Sequence, residues 1–460
     1  MRKVFLFVSV IVLMVISGIV WRRSLPTYHC PHGIILISLD TLRADHLGVY
    51  GYPRDTSPSL DAFANESVVF DRAVAQSPLT LPSHISIMTS LYPSSHGILS
   101  NNNRLADEQV TLAELLRKDG YKTAGFADGA FLKGDYGFKQ GFDVYDGDTR
   151  IGIARILPKA VNWLEENKAD PFFLFIHCYD IHDPYNPPPP YNTVFHDFAY
   201  SGGFVPGTKN LKDAAWKGLV VTDDDLRHII ALYDGGIRCT DEHIGGFLSY
   251  LQETGLTDTS LIIITSDHGE EFREHGSFLH WQLYCRPNLH VPFIMHVPGD
   301  LKKMVRIKEL VRSIDILPTI LDMAHIPPHS NAQGISLFPL MQHNSYLPGR
   351  IWRRILHAVR GDEDRVVALA ATKFKKLQSS IISDDYQLIY TMVSGATELF
   401  DLRKDPFAQN NIAGNNGALV KGLLSKLHQI SDAVPQYKPS TFILDSEMRQ
   451  QLETLGYIDE

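Results

Sequence analysis

Short apolar runs alternate with longer amphipathic stretches along most of this chain. Residues 33–39, 172–176 and 261–264 form runs that are almost entirely apolar. Such runs are typical of strands buried on both faces of a parallel sheet. Residues 223–254 instead carry apolar side chains at helical spacing. The pattern predicts an α/β fold in which a large mixed, mostly parallel sheet is sandwiched by helices.

The C-terminal part shows a different pattern. Residues 387–393 and 398–402 flank the segment 394–397, which contains Ser and Gly, and this arrangement predicts a β-hairpin with a four-residue loop. We place a domain boundary near residue 345. The expected organisation is a main domain over residues 30–345 and a smaller C-terminal α+β domain over residues 346–460.

The N-terminal residues 1–23 have the pattern of a membrane-targeting segment. An apolar run over residues 4–20 follows Arg2 and Lys3 and precedes Trp21, Arg22 and Arg23. A helix of about 17 residues is roughly 25 Å long, close to the thickness of a bilayer core. Trp at the boundary and the lack of a small-residue cleavage site favour a retained signal anchor over a cleaved signal peptide. We expect the rest of the chain to be extracytoplasmic (periplasmic or extracellular), and secreted if the segment is cleaved.

Composition narrows the class of protein. The 460 residues carry a net charge of −9, with 44% hydrophobic and 21% charged residues, as in ordinary globular proteins. No basic stripe is present, so a nucleic acid is not an expected partner. Cys30, Cys178, Cys239 and Cys285 form neither a close pair nor a metal-binding spacing. We expect them to be isolated thiols.

Polar side chains follow each of the three apolar runs. Asp40 follows the first, His177 the second, and Asp267 and His268 come shortly after the third. Ligands of open parallel sheets bind beyond the carboxyl ends of the strands. Carboxylates and imidazoles are suitable ligands for a divalent cation such as Mg, Mn, Ca or Zn. The sequence therefore predicts a metal site at this edge of the sheet.

Residues 77–89 supply a candidate nucleophile. Thr80 is followed by Pro82, which is the pattern of a helix N-cap with Pro in the first turn. Capping alone explains this residue adequately. If a cation lay beside it, however, the Thr80 hydroxyl would be favoured as an alkoxide able to attack phosphorus or sulfur. His182, His280 and His275 are candidates for holding a substrate oxygen or for protonating the leaving group.

These segments resemble those of the sulfatase family of the alkaline phosphatase superfamily. The resemblance rests on residues 37–48, 80–84 and 265–270, with further family-like segments at residues 311–321, 334–337 and 398–406. It extends from about residue 33 to the end of the chain. It implies an alkaline phosphatase-like fold and a metal-dependent hydrolase of sulfuric or phosphoric esters.

The resemblance also implies roles for individual residues. The expected metal ligands are Asp40, Thr41, Thr80, Asp267 and His268. The expected catalytic residues are Thr80, His84, His182 and His280, and the expected substrate-binding residues are His177 and His275.

The sequence departs from the family pattern at the nucleophile. Sulfatases carry a Cys-x-Pro-Ser-Arg signature whose Cys, or sometimes Ser, is converted to formylglycine. Here the segment begins with Thr80 and ends with His84, so formylglycine is not expected. A threonine phosphate can be cleaved by attack of water on phosphorus, whereas a threonine sulfate lacks the hemiacetal exit that formylglycine provides. Phosphoric and sulfuric esters of small molecules, glycans or lipids all remain candidate substrates.

Two other functions are compatible with the sequence. One is a phosphotransferase that moves a lipid headgroup to an extracytoplasmic acceptor, since a membrane anchor would keep the site near the bilayer. The other is a catalytically inactive, sulfatase-like binding protein, because Thr41 replaces one acidic ligand of the family motif.

Overall fold

The computed structural model describes residues 29–99, 103–147, 151–197, 199–299, 304–343, 369–371, 377–432, 437–438 and 440–441. Its strands are β1 (Gly33–Leu39), β2 (Val68–Val74), β3 (Asn103–Arg104), β4 (Lys122–Phe126), β5 (Val144–Asp146), β6 (Phe172–Cys178), β7 (Ser260–Thr265), β8 (Glu271–Phe272), β9 (Phe278–Leu279), β10 (His290–Val291), β11 (Phe293–His296), β12 (Val305–Arg312), β13 (Leu369–Ala371), β14 (Leu377–Ile382), β15 (Tyr386–Thr391), β16 (Ala396–Asp401) and β17 (Ser440–Thr441). Its α-helices are α1 (Pro58–Ala64), α2 (Thr80–Thr89), α3 (Pro93–His96), α4 (Leu112–Lys118), α5 (Ile153–Asn167), α6 (Thr208–Trp216), α7 (Asp223–Glu253), α8 (Leu256–Thr259), α9 (Ile316–Met323), α10 (Phe338–His343) and α11 (Gly417–Asp432).

A nine-stranded sheet forms the centre of the described structure. Its order is β10-β2-β11-β7-β1-β6-β4-β5, and β12 adds to β2. Strand β1 pairs in parallel with β6 on one side and β7 on the other. The antiparallel neighbours of β11 make the sheet mixed. The predicted fold class, a mostly parallel sheet between helices, is confirmed.

The three central strands are apolar at most positions because both of their faces are covered. In β1, Ile34 and Leu36 pack into one hydrophobic core, whereas Ile35 and Ile37 pack into another. Residues of α2, α4 and α9 complete the first core, and residues of α5 and α7 complete the second. Alternating side chains of a strand point to opposite faces, so each core lies on one face of the sheet.

Helix α7 extends from Asp223 to Glu253, close to the predicted range 223–254. Its start is fixed by a capping box in which Thr222 and Asp225 each accept a hydrogen bond from the other's backbone N–H. Three aspartates in the first turn complement the positive end of the helix dipole. The helix brings Tyr233 under the loop that follows β1, where it contacts the functional site described below.

The C-terminal part forms a smaller four-stranded sheet in the order β13-β14-β15-β16, on which α11 packs. Strands β15 and β16 are paired from Tyr386–Asp401 to Thr391–Ala396, which confirms the predicted hairpin. Residues 344–368 lie outside the described residues, so the boundary near residue 345 stays a prediction.

The predicted signal anchor at residues 1–23 also lies outside the described residues. Within the described ranges, no helix has both the length and the apolar character needed to cross a bilayer. The four cysteines are described and none of them is in a disulfide, as expected.

Candidate active site

Three predicted metal ligands lie together at the carboxyl edge of the central sheet. Asp40 directly follows β1, and Asp267 and His268 follow β7 after a single serine. Because β1 and β7 are parallel neighbours, these two strand ends are adjacent. One ligand atom from each of the three buried side chains lies within 4.8 Å of the other two. We refer to Asp40, Asp267 and His268 as the ligand cluster.

The atoms of the ligand cluster fit a divalent cation. Nδ1 of His268 lies 3.0 Å from the carbonyl oxygen of Gly269, so in the neutral ring Nδ1 carries the proton and Nε2 a lone pair. That Nε2 is 3.3 Å from Oδ2 of Asp267. Within the described residues, Oδ2 of Asp267 accepts no hydrogen bond. A cation beside these two atoms would offset the repulsion between their electron pairs, and hydrogen bonding of the other ring nitrogen is typical of metal-binding histidines.

The charge state of Asp267 also suits a metal ligand. Burial by itself would raise the pKa of this carboxyl. The neighbouring imidazoles, led by that of His268, more than offset this effect and hold the pKa of Asp267 below its usual range. The side chain is therefore a carboxylate at neutral pH, the form that binds a metal ion.

Thr80 is the first residue of α2, and its hydroxyl faces the ligand cluster. The N-cap position belongs to Leu79, and no side chain caps this end of the helix. Oγ1 of Thr80 instead lies 3.4 Å from Nε2 of His268. The prediction that Thr80 caps the helix is therefore wrong. The interpretation that depended on it, a purely structural hydroxyl, loses its basis.

Tyr179 is a second hydroxyl at this position that the sequence did not single out. Its phenol O–H donates to Oγ1 of Thr80 over 3.4 Å, and its ring is almost fully buried. Tyr179 follows His177 by two residues, just beyond the end of β6. The only feature of the sequence that could have indicated Tyr179 is its position shortly after the apolar run 172–176. The same feature indicated His177.

His84 lies beneath Thr80 rather than beside a substrate. Its Nδ1 donates to the carbonyl oxygen of Thr80 over 2.9 Å, and its Nε2 accepts from the hydroxyl of Ser38 over 2.9 Å. The ring is fully buried, and burial lowers the pKa of His84 to about 3. Both nitrogens of the neutral ring are thus occupied, so the structure gives His84 a supporting position in place of the predicted catalytic one.

His177 also lies below the site. Its Nδ1 donates to the carbonyl oxygen of Asp128 over 2.9 Å, and its Nε2 is 3.1 Å from Oδ2 of Asp40. The side chain is fully buried. These contacts orient Asp40 and leave neither ring nitrogen directed at a substrate, which corrects the prediction that His177 binds substrate.

Thr41 has a left-handed backbone conformation in the turn that carries Asp40. Its φ is 57°, an uncommon value for a β-branched residue. The Thr41 hydroxyl donates to the carbonyl oxygen of Asp40 over 2.8 Å, and the phenol of Tyr233 donates to the carbonyl oxygen of Thr41 over 2.8 Å. Thr41 N–H is 3.4 Å from Oδ1 of Asp267. Since its hydroxyl is directed at its own backbone, Thr41 holds the turn and is not placed as the predicted metal ligand.

His182 and His280 lie next to the ligand cluster, as predicted. Their ring centres are 5.1 Å apart, and the ring of His280 is 4.4 Å from that of His268. Nδ1 of His182 donates to the carbonyl oxygen of Asp183 over 2.7 Å, and Nδ1 of His280 is 3.1 Å from Oε1 of Glu270. Both of these contacts involve Nδ1, and in His280 Nε2 is the nitrogen that is available to a substrate.

Glu270 is a further residue that the sequence did not single out. It is fully buried, and burial raises the pKa of its carboxyl to about 8. Its contact with His280 makes it the group that orients this ring. Only its position two residues after His268 would have drawn attention to it.

His275 lies outside the cluster. Its Nε2 is 2.7 Å from the carbonyl oxygen of Phe407 and 3.2 Å from that of Ala408, and its ring stacks on Tyr284. These contacts join the segment after β8 to the C-terminal part of the chain. They correct the prediction that His275 binds substrate.

Comparison with known proteins identifies relatives that cover most of the chain. A family model described as Sulfatase matches residues 32–326, and one described as N-sulphoglucosamine sulphohydrolase, C-terminal, matches residues 273–433. An N-acetylglucosamine-6-O-sulfatase of Bacteroides thetaiotaomicron is 25% identical, over 88% of this chain and 86% of its own length. An arylsulfatase of Clostridium perfringens is 25% identical, over 82% of this chain and 89% of its own length.

Solved structures show the same fold. A protein solved in complex with its substrate D-glucosamine-2-N,6-O-disulfate matches with a TM-score of 0.71 at 21% identity, covering 94% of this chain and 99% of that chain. A phosphonate monoester hydrolase from Silicibacter pomeroyi matches with a TM-score of 0.69 at 20% identity, covering 87% of this chain and 94% of that chain. The fold is therefore shared by proteins named for sulfur and for phosphorus chemistry.

Proposed function

The chain belongs to the sulfatase family, and we propose that it hydrolyses sulfuric or phosphoric esters with a divalent cation and the hydroxyl of Thr80. Its relatives are sulfatases and its structural neighbours include a phosphonate monoester hydrolase, so an ester hydrolase is the common activity. The observation that carries the specific proposal is the position of Oγ1 of Thr80, 3.4 Å from Nε2 of His268.

The proposed metal site consists of Asp40, Asp267 and His268, with the oxygen of Thr80 beside them. A bound divalent cation would favour the alkoxide form of the Thr80 hydroxyl and polarise the ester. The chain's own contribution is to hold the ligands in place. Asp40 is oriented by His177, and the backbone of Thr80 is held by His84.

We propose the following roles for the protein side chains in the reaction. The Thr80 alkoxide forms a bond from Oγ1 to phosphorus or sulfur while the bond from that atom to the ester oxygen breaks. The departing oxygen takes a proton from the imidazole of His182. His280, whose pKa burial lowers to about 4, contacts a substrate oxygen as a neutral ring. Water then gives a proton to His182 and attacks the same phosphorus or sulfur atom. The bond from that atom to Oγ1 breaks, and the Thr80 alkoxide is regenerated.

The chemistry of threonine favours phosphorus over sulfur for the second step. Attack of water on a phosphothreonine is an ordinary phosphate ester hydrolysis. Formylglycine releases sulfate when its hydrate returns to the aldehyde. A threonine sulfate has no such route, so its sulfate can leave only if water attacks the sulfur atom in a second displacement. Sulfuric esters nevertheless stay in the proposal, because the relatives named above include sulfatases for N-acetylglucosamine 6-sulfate and aryl sulfates.

A panel of esters tests this proposal. The metal-loaded protein is assayed on an aryl sulfate, glucosamine 6-sulfate, a phosphate monoester, a phosphate diester and a phosphonate monoester. Activity that depends on Thr80 on one or more of these supports the proposal and identifies the element attacked. Equal rates for the wild type and Thr80→Ala on every active substrate would overturn the assignment of the nucleophile.

Mass spectrometry of the peptide that contains Thr80 gives an independent test. We expect an unmodified threonine in the resting protein and, after rapid quenching with substrate, an added phosphoryl or sulfuryl group. An oxidised residue at position 80 would contradict the threonine mechanism. Metal binding without turnover on the whole panel would instead indicate the inactive binding protein.

The extracytoplasmic location is a separate proposal that rests on the apolar run at residues 4–20 and its basic flanks. Fractionation of cells expressing the full-length chain, with protease added to intact spheroplasts, tests it. Digestion of the catalytic domain without lysis is expected, and full protection would contradict it.

A further inference from the structure

A second concave site lies apart from Thr80, between the edge of the main sheet and the C-terminal part of the chain. It is a cavity of about 430 Å³. Its walls come from β2, β12, the segment before β10 and the loop after β16. None of its lining residues belongs to the ligand cluster or to the proposed catalytic set.

The charged lining of this cavity is biased toward arginine. Four arginines face three aspartates; the arginines are Arg72, Arg286, Arg306 and Arg403. Arginine presents a planar fork of N–H donors that matches the oxygens of sulfate, phosphate and carboxylate groups. An arginine can bind such a group only if its N–H donors are not already used by protein carboxylates, so the contacts of the four arginines are compared.

Three of these arginines are engaged by carboxylates of their own. Arg72 donates to Asp384 Oδ1 over 3.1 Å. Arg306 donates to Asp71 Oδ1 over 2.9 Å. Arg403 donates to both oxygens of one aspartate, Asp401, over 2.9 and 2.8 Å.

Arg286 differs from the other three. Within the described ranges its guanidinium makes no hydrogen bond, and its Nε is buried without a hydrogen-bond partner. The nearest carboxylate is that of Asp45, at 3.6 Å from Nε. Both oxygens of Asp45 already accept hydrogen bonds from Arg43, over 2.9 and 3.0 Å. Arg43 also donates to Oε1 of Glu274 over 2.6 Å. Arg286 therefore has an ion-pair contact with Asp45 but no hydrogen bond to it, and its donors are not used by this carboxylate.

The environment of Arg286 holds its side chain in place. Cζ of Arg286 lies 5.2 Å from the centre of the Phe407 ring, a cation–π arrangement. The side chain is 36% exposed, so the guanidinium is partly removed from water yet open to the cavity. A guanidinium that is held in place at the wall of a cavity, with hydrogen-bond donors not used by the protein, has the properties that recognition of an oxyanion requires.

We propose that this cavity binds the oxyanion of a sulfate or phosphate group, with Arg286 as its anchor. The inference does not depend on the reaction proposed for Thr80. The anion is either free in solution or part of an ester on a sugar, since both present the same tetrahedral oxygens to the arginine fork.

Calorimetric titration of the metal-loaded protein with sodium sulfate tests the proposal. Three proteins are compared at constant ionic strength: wild type, Arg286→Gln and Arg117→Gln, the last being an exposed arginine outside the cavity. Loss of charge-assisted hydrogen bonds is expected to weaken one class of sulfate binding by about tenfold or more in Arg286→Gln only. Identical titrations of all three proteins would overturn the proposal.

Further measurements locate the site and identify the source of the anion. Crystals soaked in sodium selenate are expected to show a selenium peak beside Arg286, and no peak in this cavity would also overturn the proposal. If Arg286→Gln does not fold, Arg286→Lys keeps the charge without the fork and is expected to bind sulfate more weakly than the wild type. Titration with inorganic phosphate and with glucosamine 6-sulfate then distinguishes a free anion from a sugar ester.

Discussion

The hydroxyl of Thr80 lies 3.4 Å from Nε2 of His268, although 188 residues separate the two in the sequence. Thr80 begins a helix and His268 follows a central strand, so the contact joins two elements that the chain builds independently. No local feature of the sequence requires this contact. Its presence turns a threonine at a helix start into a candidate nucleophile beside a candidate metal site.

Replacing Thr80 with alanine is expected to lower kcat by at least about 1,000-fold, because the attacking oxygen is removed. Thr80→Ser keeps the hydroxyl and is expected to retain measurable activity. Thr89→Ala is the matched control, since Thr89 lies on the same helix and its hydroxyl donates only to the carbonyl oxygen of Ile85 in the described contacts. Steady-state kinetics on the best ester of the panel checks this. A Thr80→Ala protein as active as Thr89→Ala would contradict it.

Replacing Asp267 with asparagine is expected to abolish tight metal binding. The substitution keeps the shape of the side chain but removes the negative charge that faces the imidazoles of His84 and His268 and that the proposed cation requires. Metal content is measured by elemental analysis after dialysis of the purified protein, with Asp258→Asn, an exposed residue, as the control. We expect near one ion per chain in the wild type and the control, and far less in Asp267→Asn. Equal metal content in all three proteins would place the ion elsewhere.

Replacing Tyr233 with phenylalanine is expected to loosen the turn that carries Asp40. The phenol donates to the carbonyl oxygen of Thr41 and accepts from the N–H of Arg43 over 3.0 Å, so both buried groups lose a partner. We expect a loss of about 2–3 kcal/mol in the free energy of unfolding and about tenfold weaker metal binding.

The control for this variant is Tyr250→Phe, on the same helix, whose phenol donates to the exposed Glu165. Urea unfolding with and without added metal measures both effects. If Tyr233→Phe matched Tyr250→Phe in metal affinity, Tyr233 would have a purely structural role.

His96 is expected to contribute to the acid sensitivity of folding. Burial lowers the pKa of His96 to about 3, against about 6.5 in an unfolded chain. As the pH falls below about 6.5, the unfolded chain binds a proton that the folded protein does not. The free energy of unfolding therefore decreases by up to about 1.4 kcal/mol per pH unit until the pH approaches 3.

His96→Asn is expected to remove this part of the pH dependence. Its amide oxygen can accept the hydrogen bond that Nδ1 of His96 accepts from Ile98 N–H. Chemical unfolding between pH 7.5 and 4.5 is compared for the wild type, His96→Asn and His29→Asn, an exposed histidine. The slope against pH should become shallower in His96→Asn alone. An unchanged slope would show that the pKa of His96 is not lowered in the folded protein.

The strands that carry the site were predictable because their pattern is strong. Runs that are apolar at nearly every position have few alternatives to a buried strand, and β1, β6 and β7 were found within a few residues of the predicted ranges. The same rule placed Asp40, Asp267 and His268 at one edge of the sheet. Because β1 and β7 are parallel neighbours, their carboxyl ends lie at the same edge of the sheet, and the residues that follow these strands lie near one another.

The orientation of single side chains was not predictable in this way. The sequence shows that His84 and His177 are near the site, but not that their rings point beneath it toward Thr80 and Asp40. It also shows nothing that joins His275 to the carbonyl groups of residues 407 and 408. Such directions depend on contacts between distant segments, which local spacing does not contain.

The pairing of β1 with both β6 and β7 has a consequence for synthesis of the chain. Thr41, just after β1, contacts Asp267 across 226 residues. At 5–20 residues per second, a ribosome needs about 10 to 45 s to make that interval. Strand β6 is made before β7, so β1 gains one neighbour first, and until β7 follows its other edge has unpaired backbone groups. The ligand cluster is also incomplete until His268 has been made, more than half-way along the 460-residue chain.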